Sequence, residues 1–85
     1  MNMTLDEIRQ AVIGSVQTIA PEADFAALDP KRPLREELDL DSFDFLNVLI
    51  ELHARTGVEI PESDYVRVGT LDALLAYLAE RLDAR

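Results

Sequence analysis

Apolar residues return at intervals of three and four in three separate stretches of the chain, the spacing of one face of an α-helix. The first stretch holds Leu5, Ile8, Val12, Val16 and Ile19. It opens on Thr4-Leu-Asp-Glu7, a capping box in which the threonine and the glutamate answer each other's free N–H groups. Pro21 ends it, because the residue before a proline is driven out of the helical region. The last stretch, Leu71, Leu74, Leu75, Leu78 and Leu82, follows Thr70, a favoured N-cap type. Both helices look architectural.

The middle stretch, residues 42 to 56, is different. Phe43, Phe45, Leu46, Val48, Leu49, Ile50 and Leu52 cover an arc of roughly 220° at about 100° per residue, wider than the face a helix normally buries. Asp44, Asn47, Glu51 and Arg55 fill the remainder. A helix so patterned is either wrapped on most sides or leaves apolar surface for a partner. The split reading places Phe45, Val48, Leu49 and Leu52 inward and leaves Phe43, Leu46 and Ile50 at least partly available. Gly57 stops the helix, since glycine tolerates the left-handed backbone a helix end requires.

Residues 21 to 41 form a long connection, which needs local anchors or a function of its own. Phe25, Leu28, Leu34 and Leu38 are the expected anchors. Lys31, Arg32 and Arg35, three of the eight basic residues, cluster in it, either as a solvated loop or as a partner contact. Beyond the middle helix and Gly57, Ile60-Pro61 leads into a short helical segment over about 62 to 66, held by packing of Tyr65, Val66 and Val68. The expected fold is all-α: a four-helix bundle of three longer helices and a short third one, with a long loop between the first and second. At 85 residues it forms one domain over 1–85.

Composition narrows the function. The net charge of −9 argues against nucleic-acid binding and against attraction to anionic membranes, and favours basic protein partners. The absence of cysteine removes thiol nucleophiles and disulfides. No apolar run reaches the eighteen or so residues that span a bilayer, so membrane insertion is not expected. With no secretory pattern at its start, the chain reads as cytoplasmic; a monomer is expected. Asp39, Asp41 and Asp44 do not make a calcium loop, for position six is Asp44 instead of glycine and position twelve is Ile50 instead of glutamate. No metal site is expected. His53 lies eleven residues beyond Ser42 on one helix, about 16 Å away at 1.5 Å per residue, too far to act as its base. The chain is not expected to be an enzyme.

One junction remains. In Asp41-Ser42-Phe43-Asp44 a serine lies between two aspartates where an acidic loop becomes an apolar helix. Asp41 or Ser42 is a plain cap on the simplest reading. With Leu34 and Leu38 before it, Ile60-Pro61 after it and Thr70 opening the last helix, the order resembles the acyl carrier protein family over almost the whole chain, most strongly from Leu34 to Leu82. That resemblance implies that Ser42, flanked by the motif residues Asp41 and Asp44, carries a covalent 4′-phosphopantetheine arm placed by a phosphopantetheinyl transferase. It also implies acyl-loading and acyl-processing enzymes as partners.

The same resemblance puts a partner surface at Phe43, Leu46, Asn47, Ile50, His53 and Ala54, and an acyl pocket at Phe45, Leu49, Tyr65, Val66 and Leu74. Tyr65 is then either a gate or a core tyrosine with a wet hydroxyl. The chain departs from the carriers of fatty acid synthesis where those usually have glutamates, at Asn47, His53 and Ala54, and where they often have glycine, at Asp39. A specialised lipid, fatty acid or polyketide-type pathway is therefore expected over general fatty acid synthesis. An aminoacyl or aryl carrier is the neighbouring alternative; an unmodified helical interaction module is the alternative from another class.

Overall fold

The computed structural model describes residues 3–83, so the ends of the expected 1–85 domain, residues 1–2 and 84–85, lie outside the described residues. Helix α1 spans Leu5–Ile19, α3 spans Ser42–Thr56 and α4 spans Leu71–Leu82. Two shorter pieces complete the order: a single turn, α2, at Leu34–Glu37, and a 3-10 helix at Glu62–Val68. The capping box forms in full, Thr4 N–H donating to Glu7 Oε1 (2.9 Å) and Glu7 N–H to Thr4 Oγ1 (3.1 Å). Gly57 ends α3 at φ +77, in the left-handed region.

Ile8, Val12 and Val16 of α1, Val48 and Leu52 of α3, and Leu74 and Leu78 of α4 meet in one core. Leu28 and Leu34 are buried and Phe25 and Leu38 pack on the cluster, so the long connection is anchored where its apolar residues placed it. Two backbone bonds tie that connection to the start of α4. Leu34 N–H donates to the Gly69 carbonyl (2.8 Å) and Asp72 N–H to the Pro30 carbonyl (3.0 Å). The second satisfies one of the N–H groups that a helix start leaves free.

Four expectations need correction. The connection is interrupted by α2, which Pro33 starts and its own apolar residue, Leu34, holds. The short third helix runs to Val68 and is 3-10, seven residues long, where such runs seldom exceed about three or four. Val66 does not pack it: that side chain is 87% exposed, while Val68 is buried and Tyr65 half-buried. Leu5, counted in the α1 stripe, is 54% exposed; at this end of the helix Met3 and Ile8 make the contact with the core instead.

Candidate functional site

Asp41 is the N-cap of α3, with extended backbone and a side chain that accepts from Asp44 N–H over 2.7 Å. Capping thus falls to the aspartate, leaving Ser42 as the first helical residue. Its hydroxyl is exposed and makes no hydrogen bond among the described residues. A side chain at that position points back over the helix start, towards the loop that precedes it.

Ser42 stands at the edge of an open groove of about 570 Å³. Its lining comes from three places: Phe43, Phe45 and Leu46 of α3; Tyr65, Val66 and Gly69 of the 3-10 segment and its end; and Pro33 and Arg35 at α2. The wall is mostly hydrocarbon. A smaller depression of about 140 Å³ continues along α3 between Leu49, Ile50 and His53 on one side and Glu59, Ile60 and Tyr65 on the other. Leu46 and Tyr65 line both, so this pair stands where the two depressions meet.

The wide arc of α3 is divided between core and surface. Phe45, Val48, Leu49 and Leu52 are buried, whereas Phe43 is 69% and Ile50 56% exposed, with Leu46 at the margin. Asn47 is half-buried, and His53 and Ala54 are exposed farther along the helix. Of the five residues assigned to a pocket, Phe45, Tyr65 and Val66 border the larger groove and Leu49 borders the smaller one. Leu74 borders neither; it is enclosed in the bundle core, where an apolar face at helical spacing leads.

Two features were not legible in the chain. The 3-10 wall is clamped from behind by Tyr77 of α4, whose hydroxyl donates to Asp64 Oδ2 at 2.6 Å. Arg81 lies on the same carboxylate oxygen (3.4 Å) and over the Tyr77 ring, 4.6 Å from its centroid. The hydrogen bond to Asp64, with burial adding to it, raises the Tyr77 pKa above its ordinary value. The Tyr77–Arg81 spacing, one helical turn, was the available signal. The second feature is Arg35, which joins the groove lining where the Leu34–Gly69 bond draws α2 to the start of α4; its neighbours in sequence give no sign of this.

Comparison with known proteins bears on the same residues. The family model described as "Phosphopantetheine attachment site" matches residues 6–78. The chain is 27% identical over 79 residues to a protein named acyl carrier protein from Rubrobacter xylanophilus, covering 89% of this chain and 98% of that one. It is 28% identical over 80 residues to another of that name from Streptomyces coelicolor, covering 94% of this chain and 83% of the relative.

Proposed function

The chain belongs to the acyl carrier protein family, whose prosthetic group is 4′-phosphopantetheine, and from that premise we propose that Ser42 is the attachment residue and that the adjoining groove receives the cargo. One observation supports this reading most: Asp41 takes over the capping of α3, so the Ser42 hydroxyl is exposed and unbonded at the lip of an apolar groove. The residues fit the group. The serine oxygen can enter a phosphodiester without breaking a structural hydrogen bond, and α3 presents unpaired N–H groups nearby.

When bound, the arm supplies a terminal thiol on which an acyl group is held as a thioester. The chain's own part is to hold, orient and shelter. Proton removal from Ser42 falls to a separate transferase, because the chain's single histidine is eleven residues along the same helix, about 16 Å away. Phe43, Phe45 and Leu46 offer hydrocarbon to a tethered chain, each buried methylene contributing about 0.8 kcal/mol. Tyr65, between the larger and smaller depressions, sets how far a chain can pass along α3. Exposed Phe43 and Ile50 give acyl-loading and acyl-processing enzymes an apolar place to dock.

The absence of acidic side chains at Asn47, His53 and Ala54 supports partners of a dedicated lipid, fatty acid or polyketide-type pathway. Among the described residues no helix is long and apolar enough to cross a membrane. Intact-mass measurement after coexpression with a broad-specificity phosphopantetheinyl transferase tests the assignment. A mass gain that vanishes in Ser42→Ala is expected. No gain, under conditions that load a control carrier, would leave an unmodified interaction module.

A further inference from the structure

Arg35 is a cation without a carboxylate, in a chain with 17 acidic residues against eight basic ones. Arg32, Arg55, Arg67 and Arg81 each pair with an acid; among the described residues Arg9, Lys31 and Arg35 do not, and of these three Arg35 is the one that lines the groove beside Ser42. Its guanidinium instead reaches the Leu40 carbonyl through Nε at 3.5 Å, a long contact, while Leu40 N–H donates back to the Arg35 carbonyl at 2.8 Å. This two-way tie holds Arg35 against the segment that ends at Ser42. The α2 turn bearing it is fixed in turn by the Leu34–Gly69 bond. The result is one positive charge in the lining of an apolar groove that also holds the Ser42 and Tyr65 side chains.

We infer that Arg35 is a positioning residue for the arm: its guanidinium pairs with the phosphodiester on Ser42 and lays the arm along the groove. This rests on Ser42 carrying the arm. The charges around the site call for such a partner. Asp41 and Asp44 flank the serine, and each repels a phosphate monoanion brought to its oxygen; Arg35 supplies the opposite charge. Guanidinium suits the task better than ammonium, because its planar fork meets two phosphate oxygens at once and needs less hydration. A carboxylate at the far end of the cargo is the other anion of this chemistry, but the phosphodiester is the one covalently fixed beside Arg35.

The test compares apo and loaded forms of the wild-type chain, Arg35→Gln and Arg35→Lys, each verified by intact mass. Attachment is expected to shift Tm about 2–6 °C more favourably in the wild type than in Arg35→Gln at low salt, and the gap should close at high salt. Arg35→Lys should keep part of it. The Arg35 Nε–H resonance should move on attachment, before any acyl group is loaded. Equal losses of Tm in apo and loaded Arg35→Gln would mean a purely structural role and overturn the inference. An Arg35 resonance that stays still despite the mass gain overturns it too, leaving Ser42 as the attachment residue. Movement only with a carboxylate-ended cargo overturns the phosphate assignment in favour of the cargo. A wild-type chain that gains no mass sinks this inference together with the reading beneath it. Should Arg35→Gln fail to fold, the wild-type resonance decides alone.

Discussion

The Tyr77 hydroxyl sits 2.6 Å from Asp64 Oδ2 and so joins the last helix to the 3-10 segment that walls the groove. Arg81 and Arg67 brace the same carboxylate, at 3.4 Å and 3.8 Å, and lie over the Tyr77 ring at 4.6 Å and 5.4 Å from its centroid. A phenol, two guanidinium groups and a carboxylate thereby fix the segment that carries Tyr65 and Val66. The short helix could not hold itself: too few residues repay the cost of nucleation.

Removing that hydroxyl has a direction at two pH values. Tyr77→Phe loses a hydrogen bond to a charged acceptor and should cost about 1.5–3 kcal/mol at neutral pH, read from urea melts. The folded state holds the phenol proton more tightly than the unfolded chain, since the Tyr77 pKa is raised by Asp64 and by burial. Its contribution is therefore complete below the unfolded value of about 10 and is lost as pH rises through the folded one. Wild type should lose stability above about pH 10 more steeply than Tyr77→Phe. Parallel alkaline curves would show that the phenol is not held as described.

Cap and attachment residue can be separated by substitution. Asp41→Ala removes the acceptor for Asp44 N–H and should cost about 1 kcal/mol. Ser42→Ala breaks no hydrogen bond and should leave stability within about 0.5 kcal/mol while abolishing the mass gain. A Ser42→Ala protein as weakened as Asp41→Ala would mean that the serine is the cap after all.

How much of this was legible in the chain depends on the range of the interaction. Thr4–Glu7, Asp41–Asp44 and Thr70–Ala73 are contacts three residues apart, and local chemistry announces them. The division of α3 was legible as well, because Phe45, Val48, Leu49 and Leu52 share one face at helical spacing. Tyr77–Asp64 spans thirteen residues and two elements, and no periodicity reports such a pair. Arg35 reaches the groove only because Leu34 N–H meets Gly69, which a reading of the loop by itself cannot supply. Val66 misled because apolar character says nothing about which side of a 3-10 turn faces the core.

Asp39 gives a stability prediction. Its backbone lies at φ +53, left-handed, where a Cβ is crowded by the following carbonyl. Carriers often have glycine at this position, and the geometry says why. Asp39→Gly should gain about 0.5–1 kcal/mol in urea melts, and Asp39→Val should lose about 1–3 kcal/mol, since a branched side chain cannot hydrogen-bond its way into that region. Equal stability of the three proteins would mean that the turn relaxes to negative φ.

Ser15 is the one polar side chain among the described residues that is enclosed without a partner: it is 0% exposed and its Oγ has no hydrogen bond. It sits on the buried face of α1 beside Ala11, Val12 and Val16. An unsatisfied buried hydroxyl costs about 1–3 kcal/mol, and alanine is also the better helix former, so Ser15→Ala should stabilise the fold by about 1 kcal/mol. Loading of Ser42 should be unchanged. A destabilised Ser15→Ala would show that the oxygen's packing outweighs its missing bond.

Docking provides the last prediction, because charge and apolar surface pull it in different directions. A chain of net charge −9 should be drawn to basic partners and lose affinity as salt screens it. Yet between Phe43 and Ala54 the exposed residues of α3 are Phe43, Leu46, Ile50, His53 and Ala54, none of them acidic. Long-range charge then governs approach, while contact at this face is apolar and little screened. With a cognate acyl-loading enzyme, rising salt should slow association but leave dissociation nearly constant. Ile50→Ala should do the reverse, raising dissociation about tenfold, the equivalent of about 1.4 kcal/mol, with the melt and the loading of Ser42 intact. If salt instead governs dissociation and Ile50→Ala changes nothing, the partner grips the acidic side of the molecule, and the exposed residues of α3 serve the groove alone.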